Sequence, residues 1–119
     1  MSTGFNWFKD YKIKIEEDRY LKDVTLTYLD GGSSSHSGRN ISKVQDLIER
    51  YGKIRIPVVC EDFIKSENEK IDLIEPEMMS EICDKILQET EVDKVGMRHR
   101  IEWFKKLSDE GYYITYDYI

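Results

Sequence analysis

Cysteine and histidine are scarce, at two residues each. Cys60 and Cys83 fall on different expected elements, with neither a CxxC spacing nor a pair of histidines beside them. A disulfide framework and a structural zinc site are therefore not expected. Two small buried hydrophobes in a reducing, cytoplasmic setting fit better. Long apolar runs are missing too. The stretch Ile56–Cys60 is strand-sized, well short of the roughly 20 residues of a membrane span. Met1–Tyr11 lacks the basic-then-apolar order of a signal peptide. There is no GxGxxG, no Lys-Ser/Thr pair after a glycine-rich turn and no EF-hand spacing, so no nucleotide motif, metal or cofactor is indicated. An excess of positive charge is also absent. The 18 Lys and Arg against 24 Asp and Glu leave −6, which excludes a sequence-independent nucleic-acid coat.

What is present suits one small core. The chain has 119 residues, 39% hydrophobic and 12% aromatic, enough for a single domain and too short for two. The charge is uneven. Residues 61–93 carry −9, whereas residues 1–60 carry +2 and residues 94–119 carry +1. The acidity therefore sits in one segment.

Periodicity predicts the elements. Gly4–Phe8 holds Phe5, Trp7 and Phe8 and is expected to fold back onto the core rather than lie exposed. Tyr11–Glu16 and Val24–Leu29 alternate apolar with polar residues and predict an antiparallel hairpin. Asp30–Asn40 is rich in Gly and Ser and reads as a flexible loop. Ile41, Val44, Leu47, Ile48 and Tyr51 form a helical stripe, with Ser42 and Gln45 as a capping box and Gly52 as its stop. Ile54–Cys60 predicts a strand that Pro57 confines to an edge or a bulge. It could close a parallel crossover with the strand at Val24. After a polar turn at Ser66–Lys70 and a short extended piece from Ile71, Pro76 opens a second helix reaching about Glu89. Met78, Met79, Ile82, Cys83, Ile86 and Leu87 form its stripe. A third helix is expected over Asp93–Asp109, with Gly96 weakening its first turn, and Tyr112–Ile119 is a last strand. The order β-β-α-β-α-α-β points to an α+β fold, one domain over residues 1–119, with a small mixed or antiparallel sheet against helices.

Three groupings could carry function. The first combines the acidic second helix (Glu75, Glu77, Glu81, Asp84) with the tyrosines of the last strand (Tyr113, Tyr116, Tyr118). Carboxylates on one helix face steer a basic protein partner, and tyrosine gives large contact area at low entropic cost. This supports a protein-interaction module of the inhibitor, immunity or mobile-element accessory type. The second is an anion or nucleotide site from Ser33, Ser34, His36 and Arg39 of the loop with Arg98 and Arg100 of the third helix. That helix is the one place where nucleic acid could be contacted. The third is a homo-oligomeric part joined through the last strand. Catalysis has little support. His36 and His99 lie in a loop and a basic helix, and neither shows a nucleophile partner in sequence.

Overall fold

The computed structural model describes residues 3–59 and 72–118. Its elements are β1 (Thr3–Phe8), β2 (Asp10–Glu17), β3 (Lys22–Leu29), β4 (Gly32–Ser35), α1 (Gly38–Gly52), β5 (Val58–Val59), α2 (Pro76–Leu87), α3 (Glu91–Lys94), α4 (Arg98–Asp109) and β6 (Tyr113–Tyr118). The fold is α+β. One sheet has the order β4-β1-β6-β5, and β2 with β3 forms a separate two-stranded ribbon. The larger sheet is mixed: β1 runs antiparallel to both β4 and β6, and β5 runs parallel to β6.

Two strands depart from the sequence expectation. Gly4–Phe8 does fold back, as an interior strand of the sheet. It shows no polar-apolar alternation because both its faces are covered. Phe5 packs among the helices, while Asn6 and Phe8 on the opposite face are also buried. A strand buried on both sides loses the period-two signature. The expected loop at 30–40 contains β4 and the start of α1. Gly-Ser-Ser-Ser has no hydrophobic pattern, and its strand character comes from pairing with β1, Gly4 against Ser35 through Trp7 against Gly32.

The helices pack on the β1/β6 face that carries Phe5 and Ile114. With these, Val44 and Ile48 of α1, Ile82 and Ile86 of α2, Val92 of α3 and Phe104 of α4 make one core. Phe104 meets Phe5 edge to face at 4.8 Å between ring centroids. Within the α2 stripe Met78 is the exception, at 46% exposed.

The capping box at Ser42 and Gln45 does not form. Ser37 is the N-cap, its Oγ accepting from the Asn40 N–H at 3.2 Å, so α1 begins a turn earlier. Gln45 is buried and acts as a clamp. Its Oε1 accepts from the Ile56 N–H at 2.8 Å and its Nε2 donates to the Ile56 carbonyl at 3.0 Å. That clamp satisfies the backbone of Ile56 without a strand partner, and among the described residues the predicted strand begins only at Val58. Gly52 is the last residue of α1 rather than its stop, and the left-handed position falls on Lys53, φ 53°. The expected crossover also changes. The strands flanking α1 are β4 and β5, at opposite edges of the sheet. Cys60, the polar turn at Ser66–Lys70 and Ile71 lie outside the described residues.

The predicted third helix is two helices. Gly96 has φ +70°. Its N–H donates to the Asp93 carbonyl at 3.1 Å, and the Met97 N–H donates to the Val92 carbonyl at 2.9 Å. These two bonds are a Schellman closure with Gly96 at the left-handed position. Gly96 therefore ends α3 instead of weakening the start of a longer helix.

The β2–β3 ribbon is fixed at its root. Phe8 is wholly buried, with the Tyr28 ring stacked on it at 4.5 Å and the Tyr11 ring edge-on at 5.9 Å. The Tyr28 hydroxyl lies 3.3 Å from Thr115 Oγ1 of β6, and the Lys9 N–H donates to the Leu29 carbonyl at 3.0 Å. Away from the root the strands pair in register from Asp10 with Leu29 to Glu17 with Lys22. The molecule measures 55 × 27 × 23 Å along its principal axes. Among the described residues no helix is long and apolar enough to cross a membrane.

Candidate functional site

The far end of the ribbon is a tight turn built by Asp18. One carboxylate oxygen accepts from the N–H groups of Tyr20 at 2.8 Å and Leu21 at 2.9 Å, and the Asp18 N–H donates to the Leu21 carbonyl at 2.9 Å. These backbone donors hold the Asp18 carboxyl below its usual pKa. The turn presents two large apolar side chains to solvent, Tyr20 at 84% and Leu21 at 66% exposed. The Arg19 guanidinium lies 5.8 Å from the Tyr20 ring centroid. The sequence reading placed strands at Tyr11–Glu16 and Val24–Leu29 and missed this tip between them. The available signal was the pair Tyr20-Leu21 in a turn, where small and polar residues are the rule.

On α2, Glu77 and Glu81 are exposed one helical turn apart, and Glu75 is exposed just before Pro76. None of the three makes an ion pair among the described residues. Like charges at i and i+4 cost a few tenths of a kcal/mol in a helix. Asp84 differs. Lys105 of α4 lies 3.1 Å from it and 3.3 Å from Asp109, tying the two helices together. Hydrogen bonding to Asp84 is the main reason the Lys105 pKa is raised. Glu91 is likewise engaged, by Arg50 and by the Tyr51 hydroxyl of α1.

The tyrosines of β6 lie on an interior strand of the sheet. β6 lies between β1 and β5, so neither of its sides is a free edge over the paired residues. Tyr113 shares the ribbon-covered face with Phe8, its ring centroid 6.0 Å away, and Tyr116 packs against the helix-side core. Tyr113 and Tyr116 therefore sit on opposite faces of β6, each half-buried against other side chains. The Tyr118 side chain lies outside the described residues.

The anion set is only partly assembled. Ser34 Oγ and His36 Nε2 lie 2.9 Å apart. The His36 ring sits 5.3 Å from Phe5 and 5.9 Å from Trp103. Burial and then the nearby positive charge of Arg100 lower the His36 pKa, which keeps the imidazole neutral at pH 7. Arg100 Nε is buried without a hydrogen-bond partner. The other members are elsewhere. Ser33 follows the strand alternation to the opposite face, and Arg39 is exposed in the first turn of α1. Arg98 is forked onto Asp93, Nε at 2.6 Å and Nη2 at 2.9 Å from its two oxygens.

No family model, curated protein or solved structure matches this chain. The chemistry must therefore be judged from the residues alone. A serine nucleophile needs a histidine base that is itself oriented and stabilised in its charged form, usually by a carboxylate. Arg100 next to His36 opposes that charge. Among the described residues no cluster of His, Cys, Asp and Glu could hold a metal ion. Cys83 is fully buried, and desolvation pushes its thiol up to about 12. That is the behaviour of a packing residue, since the thiolate is the reactive form.

Proposed function

We propose that this chain is a non-catalytic binding module that inserts the Asp18–Leu21 tip of its ribbon into an apolar cleft of a protein partner. The observation that carries this reading is the exposure of Tyr20 and Leu21 on a turn held by three hydrogen bonds to Asp18. A rigid turn loses little conformational freedom on binding, and adjacent aromatic and aliphatic anchors are the side chains that dominate interface energetics. A two-stranded ribbon is only marginally stable by itself, so a partner along it would add order. Glu75, Glu77 and Glu81 supply a second, steering surface toward basic charge. Cytoplasmic residence and an inhibitor, immunity or mobile-element accessory role accompany this reading for a chain of this size and acidity.

The test is quantitative binding to the protein that co-purifies with the chain from its host. The double variant Tyr20→Ser/Leu21→Ser should weaken that complex by about a hundredfold or more, the effect of removing a central anchor pair. Charge reversal at Glu77 and Glu81 should slow association and reduce its salt dependence. Unchanged affinity in the tip variant refutes the reading.

A second reading, anion binding between β4 and α4, is favoured by the unpartnered Arg100 Nε, whose charge acts on His36, itself 2.9 Å from Ser34 Oγ. It requires thermal stabilisation by phosphate or nucleotides that is lost in Arg100→Gln.

A further inference from the structure

On the sheet face opposite the helices, a cleft of about 350 Å³ opens between the ribbon and β4. Asn6, Thr27, Tyr28, Gly31, Gly32 and Ser33 line it. None of these carries a charge. Asn6 is 5% exposed, and its Nδ2 is buried with no hydrogen-bond partner. Native interiors leave few such donors unpaired. An apolar side chain would suit the fold better at this position, between buried Phe5 and the buried face that holds Phe8 and Thr115.

We propose that this cleft binds a neutral, hydroxyl-rich small molecule of about monosaccharide size. The charge-free lining offers no counter-ion to an ionised ligand, and leaving an ion unpaired beside buried groups is costly. Asn6 offers an amide donor at the floor. Thr27 and Ser33 offer hydroxyls that both donate and accept, and the ring of Tyr28 forms a wall against which C–H groups pack. The Tyr28 hydroxyl, held 3.3 Å from Thr115 Oγ1, fixes that wall in place. The volume is at the small end for ligand sites, which limits the occupant to a single ring. This inference is independent of the ribbon tip and concerns a small ligand rather than a macromolecular partner.

The experiment is ¹⁵N-resolved titration of the full chain with glucose, galactose, mannose and N-acetylglucosamine, alongside glucose 6-phosphate and glucuronate as charged counterparts. At least one neutral sugar should give saturable shifts at the Asn6 side-chain amide and at the backbone amides of Gly31, Gly32 and Ser33. Ser33→Ala, an exposed and structurally mild change, should weaken that binding about tenfold, the effect of one hydrogen bond. Asn6→Leu should abolish it. Absence of saturable shifts with every neutral sugar overturns the proposal. So does equal or tighter binding of a charged counterpart, or binding that Ser33→Ala leaves unchanged.

Discussion

Gln45→Met tests the most specific piece of packing in the fold. Methionine keeps the length and the helix propensity of glutamine, and it removes only the amide. The amide makes two bonds to one residue, 2.8 Å from the Ile56 N–H and 3.0 Å to the Ile56 carbonyl. Ile56 is 1% exposed, so water cannot replace either bond. Each buried group left unsatisfied costs about 1–3 kcal/mol. Allowing for partial relaxation, the variant should lose roughly 2–5 kcal/mol, a large share of the 5–15 kcal/mol typical of a domain. At about 4 °C per kcal/mol for this chain length, Tm should fall by roughly 8–20 °C. Urea unfolding should show a lower midpoint with an unchanged slope. Ser42→Ala is the control. If Ser42 and Gln45 formed a capping box, its loss would cost about 1 kcal/mol. With Ser37 as the cap, it should change stability by a few tenths at most. A Gln45→Met variant within about 1 kcal/mol of wild type, with Ser42→Ala the more damaging, refutes the clamp.

Gly96→Ala should cost about 1–2 kcal/mol, because φ of +70° is strained for any residue with a Cβ; thermal unfolding measures it, and a neutral result would show that α3 does not end at this position. Asp18 has a folded pKa below its usual 3.8, so its contribution is complete above that value and is lost as pH falls through the lower folded value. Hydrogen exchange at the Tyr20 and Leu21 amides should accelerate over that acid range and, at neutral pH, in Asp18→Ala; protection that ignores both changes would remove Asp18 as the organiser of the turn. Cys83, with its thiol raised to about 12, should resist alkylation in the native state in a Cys60→Ser background. Its modification rate should follow global opening across added urea, and rapid labelling of the native protein would contradict its burial.

The parts of the fold that follow from one-dimensional patterns were legible. Tyr11, Ile13 and Ile15 alternate with charged residues, and they form β2. Ile41, Val44, Leu47 and Ile48 recur at helical spacing, and all are buried in α1. Pro76 opens α2 as its position suggested. What was not legible depends on contacts distant in sequence. Gly32–Ser35 is a strand because β1 lies beside it, and nothing in Gly-Ser-Ser-Ser reports that. Gln45 looked like half of a capping box because Ser42 precedes it by three residues. Its true partner, Ile56, is eleven residues away and is reached only once α1 packs. Tyr112–Ile119 was legible as a strand, and it forms β6. That Tyr113 would pack beside Phe8 required knowing that the ribbon root lies over that face. For the site, the acidic face of α2 was visible as a charge run. The tip was overlooked because charged residues around it dominated the reading.

The pairing of β1 with β6 has a consequence for how the chain acquires its structure. Thr3 lies opposite Tyr118 and Phe8 opposite Tyr113, so the two middle strands of the sheet are separated by more than a hundred residues of sequence. During synthesis β1 emerges about a hundred residues before β6, its main partner in the sheet. Until then Phe8 can pack only on the ribbon rings of Tyr11 and Tyr28, and Phe5 and Trp7 only on β4 and α1, without the β6 side of the sheet. Closing so long a loop comes late and slows folding. The nascent chain therefore carries an aromatic segment exposed to aggregation or to chaperone capture until β6 arrives. A circular permutant that joins β6 directly to β1 and opens the chain at the ribbon tip would make this central pairing local. It should fold faster than the natural order while reaching the same sheet.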